Sequence, residues 1–392
     1  MIEYPYNVLL GLVLFWSLLY VIGGRIKRDR ENLELIIKPF FLQVKIKDIN
    51  RFVDKLVRPK LVKVLSLIGI PSGFILSISA LAFLSHNLYN FFVSPPKFTG
   101  VTLLIPFVTI QNITLLTYFF ISIPLILIPH ELAHALVARF EKIDLKGGGL
   151  ALLGLLFAGF IEPDDEQFRK ANPKKKMKIL AAGSTANLVM AVFVFSLLLF
   201  QPATATFMSP ALRTAFYGPP DGVYIYIVDE SYGIGAAGAR PGDVIKALNG
   251  VPIRSLSDYM RLDLKPGETV TVLIDRNGKL LNLYLKAVGN GERGRLGFYG
   301  FTYYPPHLSV PILAPWLFGL LYWIAFLSLM VGMFNMLPLY PFDGDGFFTA
   351  LFELTKRKIF PKIARLSLNA FTLTLFAGNL LATIIKMGFI VL

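Results

Sequence analysis

Long runs without a charged residue constrain this chain more than any other feature of its sequence. A helix needs about 20 mostly apolar residues to cross a bilayer. Six runs of the chain contain no Asp, Glu, Lys or Arg: 4–24, 64–96, 98–129, 179–212, 296–342 and 366–385. They predict a polytopic α-helical membrane protein with about six spans, at roughly 5–24, 64–84, 114–138, 178–200, 312–336 and 367–389.

Composition excludes several classes of protein. Only 16% of the 392 residues are charged, whereas a soluble domain carries about 25%. The chain has no cysteine, which excludes disulfides, iron–sulfur clusters, cysteine-ligated zinc and thiol nucleophiles. The first run is not expected to be a cleaved signal peptide, because it lacks a basic start and Arg25, Lys27, Arg28 and Arg30 follow it. Residues 98–113 are expected to form a re-entrant or interfacial piece.

Basic residues predict the orientation in the membrane. Segments 25–63, 139–178 and 356–365 together hold 26 Lys and Arg against 11 Asp and Glu. With six spans these three segments fall on one side, which the positive-inside rule assigns to the cytoplasm. Both termini and the insert 201–311 are then predicted outside. The segments account for the net charge of +14, so no nucleic-acid partner is predicted. If these segments were merely solvated basic loops, the composition would be explained, but the alternation of basic and uncharged segments along the chain would not.

The spans divide the chain into four regions. Residues 1–63 contain the first span and a basic cytoplasmic segment. Residues 64–200 form a transmembrane core. Residues 201–311 form the outer insert, with a small domain at about 221–290, and 312–392 complete the core and add the last span.

The sequence of the small domain is typical of a β-rich fold. Residues 222–229 (GVYIYIVD) are typical of a strand, Asn277–Gly278 predicts a hairpin turn, and Ser255 or Ser257 is expected to cap a short helix. The pattern GARPGDVIKALNG, followed by PGETVTVLIDRNGK, resembles a PDZ domain. This resemblance implies a small extracytoplasmic α+β or β domain that binds peptide at a sheet edge. The alternative is a small sandwich without a ligand. The segment that resembles the ligand-binding loop, 232–236, is an unusual variant.

The chemistry is predicted inside the membrane. His130-Glu131-Leu132-Ala133-His134 is an HExxH sequence, in which two histidines at i and i+4 share a helix face and reach one zinc ion. Glu131 is the candidate general base for the attacking water. Ionisable residues at membrane depth are functional by default. The alternative places these residues at the cytoplasmic interface, just before Arg139.

A third ligand must come from elsewhere in the chain, because a catalytic zinc usually has three protein ligands. The two other histidines, His86 and His307, are predicted at the outer ends of spans in a plain interfacial role. An acidic candidate is Asp343, which follows a long uncharged run broken by Pro338 and Pro341. Both motifs are predicted near the cytoplasmic side.

HELAH, together with the N-x-x-P-x-x-x-x-D-G pattern from Asn335 to Gly344, resembles the site-2 protease family of intramembrane zinc metalloproteases. The resemblance implies one catalytic Zn²⁺ held by His130, His134 and Asp343, with Glu131 as the base and Asn335 engaging substrate. It covers the spans near 114–138, 178–200 and 312–343.

Within the middle of these spans, Gly183-Ser-Thr-Ala-Asn187 resembles the family's small-residue motif. Gly183, Asn187 and Ala191 share one helix face, which allows close packing. Asn187 is either a substrate-binding or near-site hydrogen-bonding residue, or a packing residue.

Two features near the motifs leave alternatives open. Asp345 stands where the family often has a second glycine, so it either competes as a ligand or caps the following helix. Residues 147–161 resemble the family's membrane-dipping β-hairpin, whose edge strand would receive an unwound substrate. A buried apolar loop is the alternative.

The sequence therefore predicts a multi-pass cell-membrane metalloprotease that cleaves membrane proteins within or near their transmembrane segments. Its predicted partners are transmembrane substrates, the lipid bilayer and a peptide at the PDZ-like domain. Two rival functions remain: a catalytically inactive scaffold that binds partners through that domain, and a metal transporter using the His/Asp site.

Overall fold

The computed structural model describes residues 4–23, 29–30, 32–228, 233–289, 293–355, 360–388 and 390. The chain divides into two compact units. The first, called here the helical unit, comprises Met1–Val192 and Trp323–Leu392, and the second, the inserted unit, comprises Phe193–Tyr322. Arg25, Lys27, Arg28 and 356–358, which support the predicted orientation, and Tyr232 of the predicted ligand-binding loop lie outside the described residues.

Helices dominate the described residues. They are α1 (Tyr4–Gly23), α2 (Asn50–Leu56), α3 (Pro59–Val93), α4 (Ile113–Phe140), α5 (Asp165–Lys170), α6 (Pro173–Leu198), α7 (Pro210–Phe216), α8 (Gly233–Ala236), α9 (Leu256–Arg261), α10 (Pro315–Asn335), α11 (Asp343–Glu353) and α12 (Phe360–Met387). The strands are β1 (Asp29–Arg30), β2 (Leu33–Lys38), β3 (Phe41–Lys47), β4 (Leu145–Leu153), β5 (Leu156–Pro163), β6 (Val223–Val228), β7 (Val244–Leu248), β8 (Val251–Pro252), β9 (Thr269–Arg276), β10 (Lys279–Lys286) and β11 (Phe298–Thr302).

Five helices are long and apolar enough to cross a membrane, namely α3, α4, α6, α10 and most of α12. They correspond to five of the six predicted spans. The sixth predicted span, at 5–24, coincides with α1, whose described side chains form a shorter apolar helix from Leu10 to Gly23. Helix α3 continues nine residues beyond the predicted end at 84, because no proline lies between that position and Pro95.

The segment expected to be re-entrant or interfacial is non-helical from Phe98 to Asn112. Side chains of neighbouring helices satisfy its backbone. The Asn87 amide bonds both the N–H and the C=O of Thr99, and the Thr383 hydroxyl accepts from the Val101 N–H. Irregular backbone at membrane depth needs such partners.

The predicted hairpin at 147–161 is formed by β4 and β5, which pair antiparallel. It belongs to a larger sheet with the order β1-β2-β3-β4-β5. The first three strands are not among the predicted elements, because 25–63 was assigned only by its basic charge. The apolar residues of LELIIK and FLQVKIK were the available signal.

Side chains near α2 hold the start of the hairpin. The Asn50 amide accepts from the Leu145 N–H and donates to the Leu145 carbonyl, both at 2.9 Å. Arg139 bridges Asp54 and Asp144. The Gln167 amide and the Arg139 guanidinium hold the pKa of the Asp144 carboxyl below its usual range.

The inserted unit contains a second sheet with the order β10-β9-β7-β6-β11, and β8 pairs with β7. Asn277 and Gly278 form the predicted turn between β9 and β10, and both have positive φ, as a type I′ turn requires. Ser255 caps α9 in a capping box with Asp258. The sheet extends past the predicted boundary at 290, because β11 pairs with β6.

Candidate metal centre

Helix α4 presents the two histidines of HELAH on its buried face. The Asn112 side chain caps the helix by accepting from the Thr114 and Leu115 N–H groups. Residues four apart lie on the same side of a helix, and the Nε2 atoms of His130 and His134 are 3.2 Å apart. Both histidines are buried, with 2% and 8% of their surface exposed.

Asp343 reaches the same point from another part of the chain. Helix α10 ends at Asn335, the non-helical loop 336–342 contains Pro338 and Pro341, and α11 begins at Asp343. The Oδ2 atom of Asp343 lies 3.2 Å from His134 Nε2 and 3.5 Å from His130 Nε2. The three side chains thus offer one group of ligand atoms, all within 4.8 Å of one another.

These separations suit a zinc ion. Ligand atoms about 2.0–2.2 Å from a tetrahedral zinc lie about 3.3–3.6 Å from each other. The observed separations of 3.2, 3.2 and 3.5 Å agree closely with that spacing. Two imidazoles and one carboxylate are also a donor set that zinc accepts.

The second nitrogen of each histidine has a partner on α6. His134 Nδ1 lies 2.7 Å from the Ile179 carbonyl oxygen. Because a carbonyl only accepts, Nδ1 carries the proton and Nε2 presents its lone pair to the site. His130 Nδ1 lies 3.0 Å from Asn187 Nδ2. Such contacts fix the ring orientation of metal-binding histidines.

The Asn187 amide provides a further test of whether these residues fit a zinc ion. Its Oδ1 is buried and has no hydrogen-bond partner in the part of the chain that the structure describes. A zinc-binding His130 would carry its proton on Nδ1, and rotation of the amide by 180° would let Oδ1 accept it. Asn187 is thus placed to accept the Nδ1–H of a zinc-binding His130.

Helix α6 approaches the histidines closely because residue 183 is glycine. A Cβ at Gly183 would lie 2.3 Å from His134 Nε2 and 2.5 Å from His130 Nε2. The close packing predicted for this helix face therefore occurs at the ligand atoms themselves.

Glu131 faces a cavity of about 350 Å³ beside the three ligand candidates. Strand β5 lines the cavity with Gly159, Phe160 and Ile161. A Cβ at Gly159 would lie 2.5 Å from Glu131 Cγ, so the glycine makes room for this side chain. β5 is the last strand in the order of its sheet, and it brings strand backbone to the cavity.

The two asparagines predicted near the site take different positions. Asn335 lines the cavity, and its Nδ2 lies 3.3 Å from His130 Nε2. Asn187 is buried, with 1% of its surface exposed, and is absent from the cavity wall. This geometry favours orientation of His130 over substrate contact as the role of Asn187.

A family comparison covers this whole arrangement. A model of Peptidase family M50 matches residues 118–378, a range that includes His130, Glu131, His134 and Asp343. The chain belongs to Peptidase family M50. The resemblance to site-2 proteases is thereby confirmed, and with its apolar helices the M50 chain is a multi-pass membrane protein.

Two curated relatives match this M50 chain in part. An uncharacterised protein of Methanocaldococcus jannaschii is 30% identical over 233 residues, which cover 58% of this chain and 55% of that protein. A membrane-bound transcription factor site-2 protease homolog of Arabidopsis thaliana is 25% identical over 271 residues, which cover 67% of this chain and 49% of that protein. The chain thus spans about half the length of the curated relatives it matches.

Two solved PDZ domains of SdrC-like proteins are similar to part of the M50 chain, each with 21% identity and a TM-score of 0.19. The domain from Listeria monocytogenes covers 20% of this chain and 87% of its own length, and that from Listeria innocua covers 23% and 98%.

The remaining candidate ligands of the M50 chain are not members of the group formed by His130, His134 and Asp343. Asp345 is buried, and its carboxylate accepts hydrogen bonds from Arg365 and Asn369 on α12. His86 and His307 are exposed. The sequence does not predict Arg365, Asn369, Gly159 or the Ile179 carbonyl, since no local pattern marks residues whose role comes from long-range contacts.

Proposed function

We propose that this chain is an intramembrane zinc metalloprotease that hydrolyses peptide bonds within or near transmembrane segments of membrane proteins. His130, His134 and Asp343 are the proposed zinc ligands, and Glu131 is the proposed catalytic base. The supporting observation is the meeting of HELAH with Asp343, more than 200 residues later in the chain, at zinc-compatible separations.

The residues around the centre divide the chemistry between them. A zinc ion bound here would polarise the scissile carbonyl and lower the pKa of the attacking water. Glu131 takes the proton of that water and then passes it to the leaving amine. The Asn335 amide, beside His130 Nε2, donates a hydrogen bond to the carbonyl oxygen as negative charge develops on it. Asn187 and the Ile179 carbonyl keep the two imidazoles oriented.

Strand β5 supports a proposal for substrate capture. The carbonyls of a substrate helix are occupied by its own hydrogen bonds, so the helix must unwind before it reacts. β5 lies at one end of its sheet and lines the cavity beside Glu131. An unwound segment that pairs with this strand would lie extended across the centre.

The orientation in the cell membrane is also proposed. Basic segments 139–178 and 25–63 favour the cytoplasm for the centre, with both termini and the inserted unit outside. The inserted unit is then positioned to bind a substrate peptide or to screen substrates by the size of their outer domains.

Zinc content is the first test. We expect about one zinc per purified chain, lost in His134→Ala and in Asp343→Ala but retained in His86→Ala, which removes an exposed histidine. Zinc retained without Asp343 would contradict the ligand set. No zinc in the wild type after reconstitution would favour a scaffold.

Proteolysis is the second test. The zinc-loaded protein is reconstituted in liposomes with a tagged single-span membrane protein whose helix contains a Gly-Pro break. We expect cleavage by the wild type and by Glu166→Gln, which changes an exposed glutamate. Glu131→Gln should keep its zinc and lose cleavage by at least about 10²-fold. Equal activity of Glu131→Gln and the wild type would exclude Glu131 as the base.

A further inference from the structure

Helix α12 is bonded to the chain on both sides of Asp343. The Asn369 Oδ1 accepts from the Tyr340 N–H at 2.8 Å, three residues before Asp343. The Asn369 Nδ2 donates to Asp345 Oδ1, also at 2.8 Å, two residues after Asp343. A single side chain of α12 therefore connects the loop 336–342 with the first turn of α11.

Arg365 reinforces this connection from one turn earlier on α12. Its Nε donates to Asp345 Oδ1 at 2.9 Å and its Nη2 to Asp345 Oδ2 at 2.6 Å. Residues four apart share a helix face, so Arg365 and Asn369 reach Asp345 together. A bidentate pair of this kind fixes direction as well as distance.

The arrangement is built around a buried charge. Asp345 is 5% exposed, and a buried carboxylate is tolerated only where it is paired and hydrogen-bonded. Both of its oxygens are satisfied from α12, and neither belongs to the group formed by the candidate metal ligands. The competing role considered for Asp345, that of a ligand, is thus replaced by a contact with α12.

The backbone around Asp343 leaves little room for another arrangement. A Cβ at Gly344 would lie 2.3 Å from the Leu337 carbonyl oxygen and 2.4 Å from the Met336 carbonyl oxygen. The first turn of α11 therefore packs directly on the loop. A shift of Tyr340 or Asp345 would be transmitted to Asp343, which lies between them.

We propose that Arg365 and Asn369 are positioning residues for the metal centre, acting on Asp343 through Asp345 and the Tyr340 amide. The proposal rests on the proposed function, because it requires Asp343 to be a zinc ligand. Metal ligands are held in place by partners outside the coordination sphere, and loss of such a partner typically costs about 10–100-fold in metal affinity. Here those partners lie on a helix that carries no ligand.

Three variants of the full-length protein in detergent test the proposal. Arg365→Gln removes the bidentate donor, and Asn369→Ala removes the amide bridge. The double variant Asp345→Asn/Arg365→Gln removes both charges and leaves no unpaired buried carboxylate. The matched controls on the same helix are Lys362→Gln and Thr374→Ala, which change exposed side chains.

Two measurements report on the ligand rather than on folding. Zinc affinity is measured by competition with a chelator, and cobalt(II) replaces zinc so that its visible absorption reports the ligand geometry. We expect zinc affinity about 10–100-fold weaker in all three variants, with an altered cobalt spectrum and wild-type helix content by circular dichroism. The controls should match the wild type in every measurement.

Wild-type zinc affinity and an unchanged cobalt spectrum in the three variants would overturn the positioning role while leaving Asp343 as a ligand. Zinc lost only together with helix content in all three would also overturn it, because the contacts would then hold the fold rather than the ligand. Failure of the proposed function gives a different result: the wild type takes up no zinc, or Asp343→Ala binds it normally.

Discussion

Two glycines determine how closely backbone approaches the reactive side chains. Gly183 lies against the Nε2 atoms of His130 and His134, and Gly159 lies against Glu131. Each position would place a new Cβ closer than 3 Å to its neighbour, a contact that some group must relieve by moving. Gly183 contacts the candidate zinc ligands, whereas Gly159 contacts the candidate base. A methyl group added at one position or the other therefore tests metal binding and base positioning separately.

Gly183→Ala should weaken zinc binding by more than about 10-fold, because its Cβ would lie 2.3 Å from His134 Nε2. Chelator competition on the purified protein measures this effect. Gly11→Ala on α1 is the control, because a Cβ there meets nothing within 4 Å. An unchanged zinc affinity in Gly183→Ala would mean that α6 does not contact the ligands in this way.

Gly159→Ala should keep its zinc but lower kcat by about 10²-fold, since a displacement of about 1 Å in a catalytic group has that cost. The new Cβ would lie 2.5 Å from Glu131 Cγ. Zinc content and the liposome cleavage assay are measured on the same sample. Loss of zinc in this variant would argue that β5 supports the ligands rather than the base.

At the scale of elements, the hairpin β4–β5 is held by a neighbouring strand and by a side chain. β3 pairs along β4 from Phe41 to Lys47, and Asn50 bonds both backbone groups of Leu145. The hairpin was predicted from the resemblance of 147–161 to the family's membrane-dipping hairpin. Its pairing with residues about 100 positions earlier could not be predicted, because sheet order depends on contacts that no local pattern encodes.

Asn50→Ala should lower the free energy of unfolding by about 1–3 kcal/mol, because it leaves the buried backbone groups of Leu145 without partners. Chemical unfolding in detergent micelles measures the change. Asn282→Ala, at an exposed position on β10, is the control and should stay within about 0.5 kcal/mol of the wild type. A similarly small change for Asn50→Ala would exclude a role for the Asn50 bonds in stability.

At the scale of the whole molecule, the inserted unit closes on itself. The Tyr303 N–H donates to the Gly222 carbonyl, and the Gly218 N–H donates to the Pro305 carbonyl, both at 2.8 Å. The two ends of the sheet-forming segment therefore lie side by side. A short linker can replace residues 223–302 without stretching the chain.

Replacement of 223–302 by a short Gly-Ser linker should keep the zinc content and broaden substrate choice. The reason is the proposed screening role of the inserted unit. Two liposome substrates are compared, identical in their span but with or without a bulky outer domain. Selectivity equal to that of the full-length protein would contradict screening.

The sequence by itself determined the features that depend on neighbouring residues. Apolar runs predicted six spans, five of which are helices long enough to cross a membrane, and HELAH predicted two histidines on one helix face. Both predictions rest on hydrophobicity and periodicity, which are local properties. The family resemblance also named Asp343, but the residues alone left Asp345 open.

Only the tertiary structure gave these two carboxylates different surroundings. It placed Asp343 beside the histidines and turned Asp345 toward Arg365 and Asn369. It also brought Asn187 to His130 and added β1–β3 to the hairpin. Each of these outcomes joins residues far apart in the chain, and burial, close packing and pairing of buried polar groups determine which of them meet.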